Sequence, residues 1–194
     1  AFESNQKASK AMIEGWFQDE IFPVEIPQSQ GDPTIHRYDE SIRTTTSIQS
    51  LSTLKPAFKD NGSVTAGNAP GVNDGAAALV LMSESKASSL NISPLARIIG
   101  QSVSGLSPKW LLMTPVQAAK KLLTKIGWTL DSVDLIEINE AFAAQAVAVM
   151  KELEINPDKV NIYGGAIALG HPIGASGARI LTTLVYALQR QNLK

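Results

Sequence analysis

Apolar and polar positions divide the chain into stretches of different texture. At the start, Phe2, Met12, Ile13 and Phe17 fit one helical face, while Lys7, Lys10 and Glu14 take the other. That spacing predicts a helix over residues 1–16, core contacts at the first set, and a stop near Gly15. Ile21–Ile26 reads as extended, with Pro23 confining it to an edge or irregular strand. Residues 27–72 hold no sustained period and carry turn chemistry at Gly31-Asp32-Pro33 and Asp60-Asn61-Gly62. A stretch this long is expected to be a functional loop region or lid, with one short helix over Leu51–Phe58 broken at Pro56.

The texture changes at Asn73-Asp74-Gly75. Ala76–Met82 is a continuous apolar run, the mark of a strand buried on both faces. Ser83–Leu90 is predicted as a short helix and Leu95–Gly100 as another strand. Thr114 reads as an N-cap with Pro115 at the first helical position. The helix it opens runs through Ile126 with an apolar stripe of Val116, Ala119, Leu122, Leu123 and Ile126. Asp131 is expected to cap a short turn. A strand over Leu135–Ile138, a helix over Ala141–Leu153, a strand over Val160–Tyr163 and a helix from about Ser176 to Gln189 follow. This alternation predicts an α/β layer around a mostly buried sheet.

Composition narrows the function classes. A chain of 194 residues can bury a core without covalent staples. Seventeen basic against 18 acidic residues leave a net charge of −1, which gives no electrostatic pull toward nucleic acid or an anionic membrane. No apolar run approaches the roughly 20 residues of a membrane span, and the first residues lack the apolar centre of a signal peptide. The chain contains no cysteine. Disulfides, thiolate zinc sites, iron–sulfur clusters and a thiol nucleophile are therefore excluded within these residues. Both ends read as interior pieces, the first starting in mid-helix without a Met and the last stopping just past a helical pattern.

Three segments concentrate the chemistry. Gly164–Arg179 holds five of the 14 glycines and His171, one of two histidines. Such a turn lets backbone approach a ligand or another backbone, and it leads into a helix N-terminus that favours negative charge. It is neither a P-loop nor a dinucleotide fingerprint. A tight strand-to-helix crossing with a structural histidine fits the same residues. Asn139-Glu140-Ala141-Phe142 falls where a strand gives way to a helix, the edge at which open α/β sheets bind ligands. Asn139 reads either as a helix cap or as an amide that orients a water. Val64–Gly75 is a long turn of small residues, either a connector or a wall for an extended ligand. His36 has no partner motif and reads as an ordinary polar residue.

Taken together, these segments resemble the thiolases, the family of acetyl-CoA acetyltransferase and 3-ketoacyl-CoA thiolase. Asn139–Phe142 resembles its NEAF motif, His171 stands in its GHPxGxSG motif, and Val64–Gly75 is similar to its TAGNxSGxNDGA stretch. Asp39–Arg43 and Leu54–Phe58 also fit, in the family's order. The resemblance implies the layered αβαβα fold in incomplete form. Residues 1–72 would be the remainder of the loop domain. Residues 73–93 would be the last strand and helix of the N-terminal domain, and residues 94–194 a C-terminal domain without its final strands.

The resemblance also implies chemistry. The family carries out a reversible Claisen condensation of acyl-CoA thioesters through an acylated Cys and a second, proton-moving Cys. His171 matches the histidine that activates the nucleophile and donates to the thioester oxyanion. Asn139 matches the asparagine that holds a water in the same hole. Arg43 and Ser50 match residues near the nucleotide end of coenzyme A, and Phe58, Ala66, Ala141 and Phe142 match the pantetheine tunnel. No cofactor is permanently bound, and coenzyme A or acetyl-CoA is the substrate. The family further implies a cytoplasmic homo-oligomer, a dimer or tetramer, with no nucleic-acid or membrane partner.

Two departures fall inside the matched segments. Pro70 stands where the family usually has a Ser that bonds the pantetheine arm, and proline offers neither hydroxyl nor N–H. Leu111–Pro115 replaces Met-Gly-x-Gly-Pro, stiffening the rim of the acyl pocket. Both family cysteines lie outside these residues, so the chain alone is expected to be inactive. Two readings stand: part of an active acyltransferase, or a catalytically silent thiolase-like piece that binds CoA or a partner chain.

Overall fold

The computed structural model describes residues 1–193. Helix α1 spans Phe2–Ile13 and ends at Glu14 before Gly15 turns left-handed at φ 71°. Its buried face is small and polar: Ser4, Asn5, Ala8, Ser9 and Ala11. Ile13, expected in the core, is 76% exposed. The reason is close packing against helix α6 (Ala166–Leu169) and the Gly164–Gly165 turn. A Cβ on Gly164 would reach within 2.7 Å of the Ala8 Cβ, so only small side chains fit on this face.

Strands β1 (Val24–Ile26) and β2 (Thr34–His36) form an antiparallel pair in which Val24 faces His36 and Ile26 faces Thr34. His36 thus sits on an exposed hairpin. Helix α2 covers Ile48–Ser52 rather than Leu51–Phe58. Pro56 instead bridges Thr65, and Ala57 N–H donates to the Val64 carbonyl at 2.8 Å.

Helix α3 (Glu84–Ser89) is capped by Ser83. The apolar runs on either side of it depart from expectation. Ala76–Met82 and Leu95–Gly100 carry no strand pairing, and Val80 and Ile98 are 84% and 63% exposed. A doubly buried strand needs neighbours for its N–H and C=O groups on both edges. No described residue supplies them.

Helix α4 (Thr114–Ile126) starts at Thr114 itself, with Met113 preceding it and no side-chain cap. Thr114 already has helical backbone angles, φ −54° and ψ −33°, so it is the first helical residue rather than the cap, and its hydroxyl donates back to the Leu111 carbonyl at 2.8 Å. Gly127 closes the helix at φ 71°. Asp131 likewise caps nothing, because it lies inside a 3-10 turn over Leu130–Ser132 that Thr129 precedes. Helix α5 (Ala143–Leu153) begins two residues later than its pattern suggested, and helix α7 covers Ser176–Arg190.

The predicted strands 135–138 and 160–163 reduce to one parallel bridge, Ile136 with Val160. It is held by Ile136 N–H to the Lys159 carbonyl at 2.9 Å and Asn161 N–H to the Ile136 carbonyl at 3.0 Å. Around it Val116, Ile138, Val149, Leu153, Ile155 and Val160 pack one core. A second core joins Ala11, Phe17, Tyr163 and Ala187. The result is a mixed α/β fold with a small, open sheet, an incomplete form of αβαβα layering. No helix among the described residues is long and apolar enough to cross a membrane.

Candidate active site

The bridge Ile136–Val160 sets two loops side by side. One continues through Ile138 to Asn139, and the other runs through Gly164, Gly165 and α6 to Gly170 and His171. Asn139 Nδ2 lies 3.3 Å from His171 Nε2. These residues are 32 apart in sequence, and the fold alone brings them together.

The rest of the imidazole is equally defined. Ser176 Oγ lies 2.6 Å from His171 Nδ1 and also donates to the Pro172 carbonyl at 3.0 Å. A hydroxyl has one proton. With that proton on Pro172, Ser176 accepts from Nδ1–H, and Nε2 keeps its lone pair. His171 is therefore poised as a base at Nε2, where the Asn139 amide donates. The other amide atom, Asn139 Oδ1, is buried with no hydrogen-bond partner among the described residues. An orphaned buried acceptor of this kind suits a water or a ligand donor.

Behind the histidine, Asn73 Oδ1 accepts from His171 N–H at 3.2 Å, and Asn73 Nδ2 donates to Ser41 Oγ at 3.1 Å. Gly170 has φ 94° and ψ 162°, a region reserved for glycine. A Cβ there would also meet Asn73 at 2.8 Å. A cleft of about 370 Å³ is lined by residues 73–77 and 172–175, the second stretch beginning just after His171, which is not part of the lining.

Two contacts link the segments that carry the residues matched to the tunnel. Ala143 N–H donates to the Asn68 carbonyl at 2.9 Å, so the segment holding Ala141 and Phe142 is tied to the Val64–Gly75 turn that carries Ala66. Phe58 meets Phe142 edge-on at 6.2 Å between ring centroids, and Phe58 remains 76% exposed. Ala66 is exposed, and Ala141 is half-buried. Arg43 is exposed and engages Asn5 Oδ1 only through its backbone N–H, at 3.1 Å. The Ser50 hydroxyl is spent on a capping box with Ser47, accepting from Ser47 N–H at 3.1 Å.

Reading the sequence missed Ser176, Asn73, Asn161 and Glu140 as working parts of this region. Ser176 offered a signal, since it stands five residues after a histidine at the start of a helical pattern. Asn161 offered none, because its left-handed backbone at φ 44° is invisible in the sequence.

The chain belongs to the thiolase family. Its residues 92–194 match the thiolase C-terminal domain and residues 1–85 the thiolase N-terminal domain. Among particular relatives, the acetyl-CoA acetyltransferase of Chromobacterium violaceum is 53% identical over 194 residues, which is all of this chain and 50% of that protein. A probable acetyl-CoA acyltransferase of Staphylococcus epidermidis is 53% identical over 188 residues, 97% of this chain and 48% of the relative. The crystal structure of Bacillus anthracis acetyl-CoA acetyltransferase superposes with a TM-score of 0.96 at 48% identity, covering 99% of this chain and 48% of that one. Human mitochondrial 3-ketoacyl-CoA thiolase in complex with CoA gives 0.90 at 40% identity, over 100% of this chain and 48% of that one. The chain spans about half the length of these relatives. With no cysteine, it holds neither of the two thiols on which the family's chemistry depends.

Proposed function

We propose that these residues form a thiolase piece that binds CoA thioesters and supplies a base and oxyanion donors, without completing acyl transfer on its own. The observation that carries the reading is the Asn139–His171 pair, 3.3 Å apart, in a chain without cysteine. In the whole protein His171 Nε2 would take the proton of a cysteine thiol, freeing the thiolate to attack a thioester carbonyl. The protonated Nε2 would then donate to the oxyanion, beside a water held by Asn139. The reaction would be the reversible condensation of two acetyl-CoA to acetoacetyl-CoA and CoA, or thiolysis of a 3-ketoacyl-CoA.

Arg43 and Ser50 would face the nucleotide end of CoA, and Phe58, Ala66, Ala141 and Phe142 its pantetheine arm. Support comes from the bond that joins the turn of Ala66 to the segment of Phe142, and from the edge contact of Phe58 with Phe142. The division into residues 1–72, 73–93 and 94–194 belongs to the same reading, as do a cytoplasmic location and a homo-oligomeric whole protein, all carried over from the family. Calorimetric titration of CoA, with an assay of acetoacetyl-CoA cleavage by the same sample, tests it. Binding without cleavage is expected. Cleavage by a cysteine-free chain would overturn the thiol mechanism, and no binding at millimolar CoA would overturn the CoA-binding reading.

A further inference from the structure

The carboxylate that follows Asn139 in the chain is buried among neutral donors. Glu140 is 9% exposed. Its Oε2 accepts from the Ser4 hydroxyl at 2.8 Å and from Ile167 N–H at 3.0 Å. Its Oε1 accepts from Asn161 Nδ2 at 3.2 Å. The network reaches further in both directions. Ser4 Oγ accepts from Gly165 N–H at 3.0 Å. Asn161 brackets Ile138, accepting from its N–H and donating to its carbonyl, each at 2.8 Å.

These bonds lie on both sides of the candidate site. Ile138 directly precedes Asn139, whereas Gly165 and Ile167 belong to the segment that ends in His171. Gly165 must be glycine for this arrangement, since an added Cβ would fall on the Glu140 carboxyl group and within 2.7 Å of Asn161 Nδ2. A buried charge is costly unless directional donors satisfy it. A neutral side chain of equal volume would fill the same space, but it could not accept from three donors on separate segments.

We propose that Glu140 is a positioning residue for the Asn139–His171 pair, its carboxylate tying the Ile138–Asn139 segment to the Gly165–His171 segment and so setting the amide against the imidazole. The proposal deepens the thiolase reading and rests on it for the meaning of that pair. Ser4 and Asn161 act through the same carboxylate.

The test reads the ring itself. Magic-angle-spinning 15N spectra of the chain, labelled on histidine and asparagine, report the His171 tautomer and the Asn139 side-chain amide whatever the size of the assembly. Glu140→Gln is expected to shift the His171 Nε2 resonance and the Asn139 amide as their contact loosens, with Nδ1, which Ser176 holds, and His36 unchanged. Leu122→Ala removes packing between α4 and Gly100, outside the core that holds Ile138, and serves as a control for loss of stability. It is expected to leave both signals in place. Unchanged signals in Glu140→Gln, or equal changes in Leu122→Ala, would overturn the proposal and leave Glu140 a structural residue. Should Glu140→Gln fail to fold, Ser4→Ala removes one donor to the same oxygen. A smaller shift in the same direction then supports the proposal, and none overturns it. CoA binding is not part of this readout, so failure of the CoA reading shows separately, in the titration.

Discussion

His171 Nδ1 and Ser176 Oγ lie 2.6 Å apart, and because the Ser176 proton goes to the Pro172 carbonyl, the contact fixes which imidazole nitrogen is the base. Helix α7 thereby does more than close the fold. Its first residue holds Nδ1–H and turns the Nε2 lone pair toward Asn139.

Removing that acceptor should free the ring. In Ser176→Ala the Nδ1–H form loses a hydrogen bond with a net value of about 0.5–1.5 kcal/mol, a shift of about 2- to 12-fold in the ratio of tautomers. Ring 15N shifts measure that ratio directly. If the ratio stays where it was, the serine is not what sets the tautomer.

A second group of buried charges gives the molecule a pH dependence. Burial pushes Glu137 up to about 8, with Glu140 and Glu20 adding to the rise and Arg179 opposing it. Burial likewise pushes Glu20 up to about 7 against the pull of the Thr183 hydroxyl and Arg179. Below the ordinary value of 4.5, glutamates are protonated in both the folded and the unfolded chain. Between there and 7 to 8 the unfolded chain has released these protons while the folded one keeps them. The unfolded state then binds fewer protons, so stability falls as pH rises. The melting temperature should drop from about pH 5 to about pH 9, and Glu137→Gln should flatten the upper part of the drop. A melting temperature that rises across this range would contradict the assignment.

Much of this was legible in the chain. Helices α4, α5 and α7 follow from apolar periodicity, and the two loops of the site follow from Asn139-Glu140-Ala141-Phe142 and Gly170-His171-Pro172. What the sequence concealed has two physical sources. Partners of polar side chains depend on long-range placement, so Glu140 with Ser4, 136 residues away, leaves no local trace. The fate of Ala76–Met82 depends on neighbours rather than on its own residues. The run has the composition of a buried strand, yet pairing requires edges that no described residue offers. Small residues also mislead. The close approach of α1 to α6 buried Ala8 and Ala11 and left the larger Ile13 outside.

Pro70 is a local departure with a measurable consequence. It lies half-buried in the turn that ties to Ala143, and it offers no donor where a family serine would. On the CoA-binding reading proposed above, Pro70→Ser should add one hydrogen bond to the pantetheine arm. At about 0.5–1.5 kcal/mol this corresponds to a gain of about 2- to 12-fold in CoA affinity. Calorimetric titration of both forms decides it, and equal dissociation constants would remove the hydrogen bond from the explanation.

The unpaired apolar run should govern the state of the chain in solution. Val80 is 84% exposed and Leu81 69%, in a segment whose backbone groups have no ladder partners among the described residues. Exposed apolar strand-forming segments of this kind pair with other chains. The chain should therefore sediment as a species larger than one copy. Charges oppose such pairing, because burying an ammonium against another apolar segment is costly. Val80→Lys with Leu81→Lys should shift the sedimentation profile toward the single chain, and the circular dichroism of α4, α5 and α7 should be retained because these helices pack elsewhere. Unaltered association in the double variant would place the contact on another surface. A single-chain species before any substitution would show that this exposure is tolerated without a partner.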